Sequence, residues 1–223
     1  MIQSIHLSPA TGAARILLLM LPGAGITATD FATHGMVDAV HQRGLPVDII
    51  AVQPELDLYL DGGIVPALHG IITAQGYKRI WLLGISLGGM GALLYASTHP
   101  VEGLVLLAPF LGTRGTVAEI ARAGGLPAWS PAQSAATDME CRMLSWLQTR
   151  LAQNPPSPKI YLGYGLRDRF APGHRLLADQ LPASRVITAP GGHDWPSWAP
   201  LWRRLLDDSP FLADRQAQDK GFL

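Results

Sequence analysis

Six short apolar runs punctuate the chain: 15–21 (RILLLML), 47–52 (VDIIAV), 80–84 (IWLLG), 104–108 (LVLLA), 159–164 (KIYLGY) and 185–189 (RVITA). Each is apolar at nearly every position and bounded by Gly, Pro or polar turns. A strand wetted on one face alternates, whereas these runs predict strands buried on both faces, as in a parallel sheet covered by helices. Residues 2–7 predict an added antiparallel edge strand. Helical segments fall between the runs, at 29–43, 61–75, 87–98, 173–180 and 195–206. Thr29 or Asp30 serves as N-cap of the first. Gly62, Gly63, Pro66 and Gly70 make the second a poor helix by propensity. The third is rich in Leu, Ala and small residues and stops before Pro100. This alternation predicts an α/β protein with a mostly parallel, doubly wound sheet.

The interval 110–158 breaks the rhythm. It contains no good strand, only Gly-rich turns, Pro127, Pro131 and an amphipathic stretch over 136–151, ending in the linker Asn154-Pro155-Pro156-Ser157-Pro158. It predicts a small helical cap inserted above the strand ends of a single domain covering 1–223.

Composition narrows the function classes. Hydrophobic residues make up 48% of the 223 positions, and 17 basic side chains balance 17 acidic ones. That excludes general disorder, which needs low hydrophobicity and high net charge. It also argues against nucleic-acid partners, whose phosphates require clustered Lys and Arg. A lone cysteine, Cys141, excludes an internal disulfide framework and an all-cysteine metal cage and suits a reducing compartment. No stretch reaches the roughly 18 apolar residues that span a bilayer. The first apolar run has no early basic cluster and gives way to Pro22-Gly23-Ala24-Gly25, unlike a secretory signal, so a cytoplasmic location is expected. A homodimer stays open. No His-Glu-x-x-His is present, no histidines pair at ligand spacing, and neither metal nor cofactor is expected.

The chemistry gathers in three loops. Gly84-Ile85-Ser86-Leu87-Gly88 is a Gly-x-Ser-x-Gly between a strand-like run and a helix-like segment. A serine nucleophile needs that sharp turn to stand clear at the strand tip, with flanking glycines removing clashes. A base must activate it, and an acid must orient the base. His193, in Gly191-Gly192-His193-Asp194-Trp195, follows the last run. Asp168, in Gly165-Leu166-Arg167-Asp168-Arg169, follows the one before. Both belong to strand C-terminal ends, where α/β sites sit. Asp138 and Glu140 are weaker rivals for the acid. An oxyanion needs two preorganised N–H donors. Leu87 supplies one, directly after the serine, and Ala24 the other, with Gly25 as the alternative.

In this order, LPGAG, GISLGG, GYGLRD and GGHDW resemble the α/β-hydrolase superfamily over nearly the whole chain. The GGHDW ending, with Trp198 and Trp202 behind it, is also similar to esterase D and acyltransferase-type branches. The resemblance implies a Ser86–His193–Asp168 triad working through an acyl-enzyme, and shortened N-terminal strands relative to the usual eight. Pro22 stands where many relatives carry His, a change that a backbone contribution tolerates.

The activity so implied is hydrolysis of carboxylic esters with small or medium acyl groups. A thioesterase or an acyltransferase with the same triad, a lyase or haloperoxidase-like enzyme, and a silent binding module on the same scaffold are the competing readings. Phe110, Leu111, Leu126 and Trp129 are candidates for the substrate wall, although all four equally suit packing of the cap. Arg114, Arg167 and Arg169 fall near the mouth, where a carboxylate contact and plain solvation are both open.

Overall fold

The computed structural model describes residues 2–7, 16–131, 138–153, 157–207 and 211. All six apolar runs are strands: β2 (Ile16–Leu21), β3 (Val47–Gln53), β4 (Arg79–Ile85), β5 (Gly103–Leu107), β6 (Lys159–Gly165) and β7 (Val186–Ala189). With β1 (Gln3–His6) they form a sheet of order β1-β3-β2-β4-β5-β6-β7. All neighbours are parallel except β1, which runs antiparallel along β3 with Ser4 opposite Val52. The pattern explains the placement. β2 lies between β3 and β4 with all six residues buried, whereas the polar β1 forms an exposed edge. Among the described residues the sheet has seven strands, one fewer than eight.

Helices cover the sheet. α5 (Leu87–Thr98) is buried from Gly88 to Ala96 and packs on β2, β4 and β5, on α4 (Ile64–Gln75) and on α7 (Met139–Leu151). A helix apolar all round belongs in the middle of a molecule. α9 (Trp195–Asp207) lies along β5, β6 and β7 and meets α2 (Met36–His41), where the buried Trp202 Nε1 donates to the Met36 carbonyl at 2.9 Å.

Several helices depart from the sequence pattern. The segment expected as one helix over 29–43 is two, α1 (Asp30–Thr33) and α2, divided by Gly35 at φ 71°. That left-handed residue suits glycine, and it redirects the chain. The helix expected over 61–75 starts only at Ile64, as α4, and a separate short helix, α3 (Asp57–Leu60), precedes it, with Gly62 at φ 78° between them. α7 begins where the Asp138 carboxylate accepts from the Glu140 N–H at 2.7 Å; the expected helix residues 136 and 137, and linker residues 154–156, lie outside the described residues. Residues read as Gly-rich turns form α6 (Arg114–Arg122), capped by Thr113, whose Oγ1 accepts from the Thr116 N–H. α8 (Ala171–Ala178) starts two residues earlier than expected.

Because β4, β6 and β7 run parallel, the loops leaving their C-terminal ends emerge on one edge of the sheet. Those loops carry Ser86, Asp168 and His193.

Candidate active site

Ser86 joins β4 to α5 with φ 52° and ψ −115°, a positive φ that a non-glycine residue rarely holds. Two backbone bonds fix it: its N–H donates to the Leu107 carbonyl at 3.0 Å, and its carbonyl accepts from the Phe110 N–H at 2.8 Å. The flanking glycines are required sterically. A Cβ on Gly84 would strike the Gly88 carbonyl, and one on Gly88 would strike the Leu21 carbonyl. Gly89 has the same need, since its Cβ would come within 2.6 Å of the Pro109 Cβ. Among the described residues the other non-glycine with positive φ is Ala108, at 46°, in the adjoining loop. Such conformations cost on the order of 1–3 kcal/mol each and gather where surrounding structure enforces them.

His193 reaches both partners. Its Nε2 lies 2.9 Å from Ser86 Oγ, and its Nδ1 lies 2.7 Å from Asp168 Oδ2. An ionised carboxylate only accepts, so Nδ1 carries the proton and Nε2 offers its lone pair to the hydroxyl. The ring is clamped edge-on by Phe170 and Trp198, with centroids 5.0 and 5.1 Å away. The flanking sequence has structural reasons. A Cβ on Gly191 would strike Ser197 Oγ, and Asp194 starts α9 by accepting from the Ser197 hydroxyl at 2.6 Å and its N–H at 3.1 Å.

Asp168 has no exposed side-chain surface. Its Oδ1 accepts from the Phe170 N–H at 2.8 Å, which leads the chain into α8 and leaves Oδ2 for His193. Burial alone raises a carboxyl pKa, but the hydrogen bonds from His193 and the Phe170 N–H, with the attraction of His193 and His174 once acid protonates them, outweigh it and hold Asp168 below its ordinary value. Asp168 therefore stays ionised. The rival acids are engaged elsewhere: Asp138 caps α7, and Glu140 accepts from the Thr113 N–H and the Thr116 hydroxyl at 3.1 and 3.0 Å.

The loop after β2 lies over the serine, since a Cβ on Gly23 would sit 3.1 Å from Ser86 Cβ. The amides of Ala24 and Leu87 make no hydrogen bond to any described residue. Gln53 braces this loop, accepting from the Ala28 N–H at 2.6 Å and donating to the Ile26 carbonyl at 3.3 Å. Behind the acid, the fully buried His174 donates through Nε2 to the Pro109 carbonyl at 3.0 Å. Burial holds its pKa down to about 4, against the opposing pull of Asp168. His174 is thus neutral.

Of the expected wall residues, Leu111 lines a cavity of about 300 Å³ beside the site. Phe110 packs edge-on to Phe170, with centroids 5.8 Å apart. Leu126 and Trp129 do not line that cavity and pack inside the cap. Leu126 is buried against Leu144 and Leu147, and the buried Trp129 donates through Nε1 to Glu119 at 2.9 Å. Sequence reasoning missed Gln53, Phe170 and His174. Only His174 carried a signal, a histidine in the first turn of a helix just after the acid. Among the described residues, no group of three or more His, Cys, Asp or Glu side chains is placed to hold a metal, and no helix is long and apolar enough to cross a membrane.

Nearly all of the chain superposes on solved hydrolases. An S-formylglutathione hydrolase from Staphylococcus aureus superposes with a TM-score of 0.63 over 94% of this chain and 97% of its own, at 14% identity. A fluorophosphonate-binding serine hydrolase from the same organism gives 0.62 over 94% and 98%, at 14% identity. A monoacylglycerol lipase from Paleococcus ferrophilus gives 0.61 over 94% and 98%, at 16% identity. No protein-family model and no curated protein matches the sequence. Sheet order, crossover helices and these likenesses define the architecture: the chain has the α/β-hydrolase fold.

Proposed function

We propose that the protein is a serine hydrolase that cleaves carboxylic esters of small or medium acyl groups. The observation that carries this reading is the unbroken relay from Asp168 through His193 to Ser86, with links of 2.7 and 2.9 Å, ending at a serine on a strained strand-to-helix turn. In the first step Ser86 Oγ bonds to the ester carbonyl carbon, and its proton passes to His193 Nε2. The carbonyl electron pair moves onto oxygen, where the Ala24 and Leu87 amides receive it. Each such donor is worth roughly 2.7–4 kcal/mol of barrier. Collapse of the adduct breaks the bond to the alcohol oxygen, which leaves with the proton from His193. Water then repeats the sequence on the acyl-serine and releases the acid. Asp168 holds the His193 tautomer throughout and offsets the charge of the imidazolium. The insertion over 110–158 acts as a cap beside the acyl site.

The test is a panel of p-nitrophenyl esters of increasing acyl length. Wild-type protein hydrolyses the short and medium members. Ser86→Ala and Asp168→Asn each lower kcat/KM by about 10⁴-fold or more. Undiminished turnover in Ser86→Ala excludes the mechanism.

A further inference from the structure

The cavity beside the site combines an apolar floor with an unusual charge distribution. Pro109, Leu111, Val117, Ala118 and Phe170 line it, and its volume of about 300 Å³ matches a small ligand. It lies one aromatic ring away from the chemistry, since the Phe170 that forms its wall is the same ring that packs edge-on against His193. Arg114 and Arg169 complete the lining. Arg169 is held over the Phe170 ring, its guanidinium carbon 4.8 Å from the centroid. Neither arginine forms an ion pair with a carboxylate among the described residues. Arg43 and Arg79, by contrast, are each bound to one, Asp207 and Glu102, at 2.6 Å.

Two helix starts border the same cavity. α6 begins at Arg114 and α8 at Ala171, and the first turns of both helices contribute to the lining. Helix N-termini carry partial positive charge, but each of these already meets a carboxylate, Glu140 at α6 through Thr113 and Thr116 and Asp168 at α8 through the Phe170 N–H, so the two arginines are the positive groups of the lining. The insertion's Glu119 and Glu140 lie outside the lining. Glu119 is taken by the Trp129 indole, and Glu140 by Thr113 and Thr116. Arginine's planar fork suits a carboxylate in particular.

We infer that this cavity receives the non-reacting end of the substrate, and that this end is an apolar segment terminating in a carboxylate bound by Arg114 and Arg169. The inference rests on the serine-hydrolase reading and names its substrate class: half-esters of dicarboxylic acids, or esters whose alcohol part carries the acid. The apolar segment fills the space behind Phe170, and the carboxylate meets the guanidiniums at the rim. The ester carbonyl is then left at Ser86.

Two matched pairs of esters test it and separate the two sources of the carboxylate. For the acyl side, the mono-p-nitrophenyl ester of suberic acid is compared with p-nitrophenyl octanoate. For the alcohol side, 4-carboxyphenyl butyrate is compared with phenyl butyrate. The structure predicts that in one pair the anionic ester is preferred in kcat/KM by about tenfold, the weight of a charge-assisted hydrogen bond. In Arg114→Gln/Arg169→Gln that ratio falls to near one, chiefly through KM, and high salt narrows it in the wild type. Hydrolysis of neutral esters with no anionic preference in either pair overturns the inference and leaves the hydrolase intact. So does a preference that survives in the double variant. Absence of hydrolysis on all four esters, with no covalent labelling of Ser86 by a fluorophosphonate, overturns the hydrolase reading and this inference with it.

Discussion

At the scale of the residue, the site is organised by what burial does to titratable groups. His174 and Asp168 are neighbours on the same loop and helix start, yet burial leaves one neutral and the other charged. The difference is hydrogen bonding. Asp168 gains donors from His193 and the Phe170 N–H, whereas His174 Nδ1 is buried with no partner among the described residues. A proton on His174 therefore lacks an acceptor. Its folded pKa of about 4 lies below the ordinary 6.5, so the unfolded chain binds the extra proton between those values. The stability associated with the neutral ring is complete above pH 6.5 and is lost as pH falls toward about 4, by about 3 kcal/mol. Urea unfolding between pH 7 and 4 measures it. His174→Gln removes that part of the pH slope, and an unchanged slope in the variant refutes the assignment.

At the scale of the element, the loops do more than the strands to set the geometry. The loop after β2 has little apolar anchorage over Ala24 and Gly25, which are exposed. Gln53, at the end of β3, replaces that anchorage with its bonds to Ala28 and Ile26. Gln53→Leu frees the loop and leaves its polar groups unpaired. The expected result is a fall in kcat of about tenfold with a smaller change in KM, because a loosened donor loop weakens the transition state more than substrate binding. Equal loss in kcat and in thermal stability of the sheet assigns Gln53 to the fold alone. Elements also show where the sequence pattern is ambiguous. α6 sits among glycines whose low helix propensity hides it, and its readable signals are the Thr113 cap and the apolar spacing of Val117, Ile120 and Ala121. The break at Gly35 was equally hidden, because a glycine within a helical pattern signals a stop only when the chain must turn there.

At the scale of the whole molecule, the sheet and the meeting of Ser86, His193 and Asp168 were the legible parts, for one physical reason. Both depend on local rules. Strands such as β2 and β5 are buried on both faces, so their sequences are apolar throughout and stand out. Ser86 needs glycines at fixed positions beside it, and Asp168 and His193 follow strand ends that can be counted along the chain. What surrounds them was not legible. Phe170 against His193, Gln53 under the loop after β2, and the two arginines on one cavity are meetings of residues distant in sequence. Local pattern holds no record of such meetings, and the burial of Leu126 and Trp129 away from that cavity has the same origin. The proposed mechanism depends on Ser86 being the nucleophile that His193 activates. Reaction with a fluorophosphonate, followed by mass spectrometry of the digested protein, examines that directly. One covalent adduct is expected, on Ser86, absent from Ser86→Ala and formed far more slowly in His193→Ala; an adduct on another residue, or labelling that persists in Ser86→Ala, would contradict the mechanism.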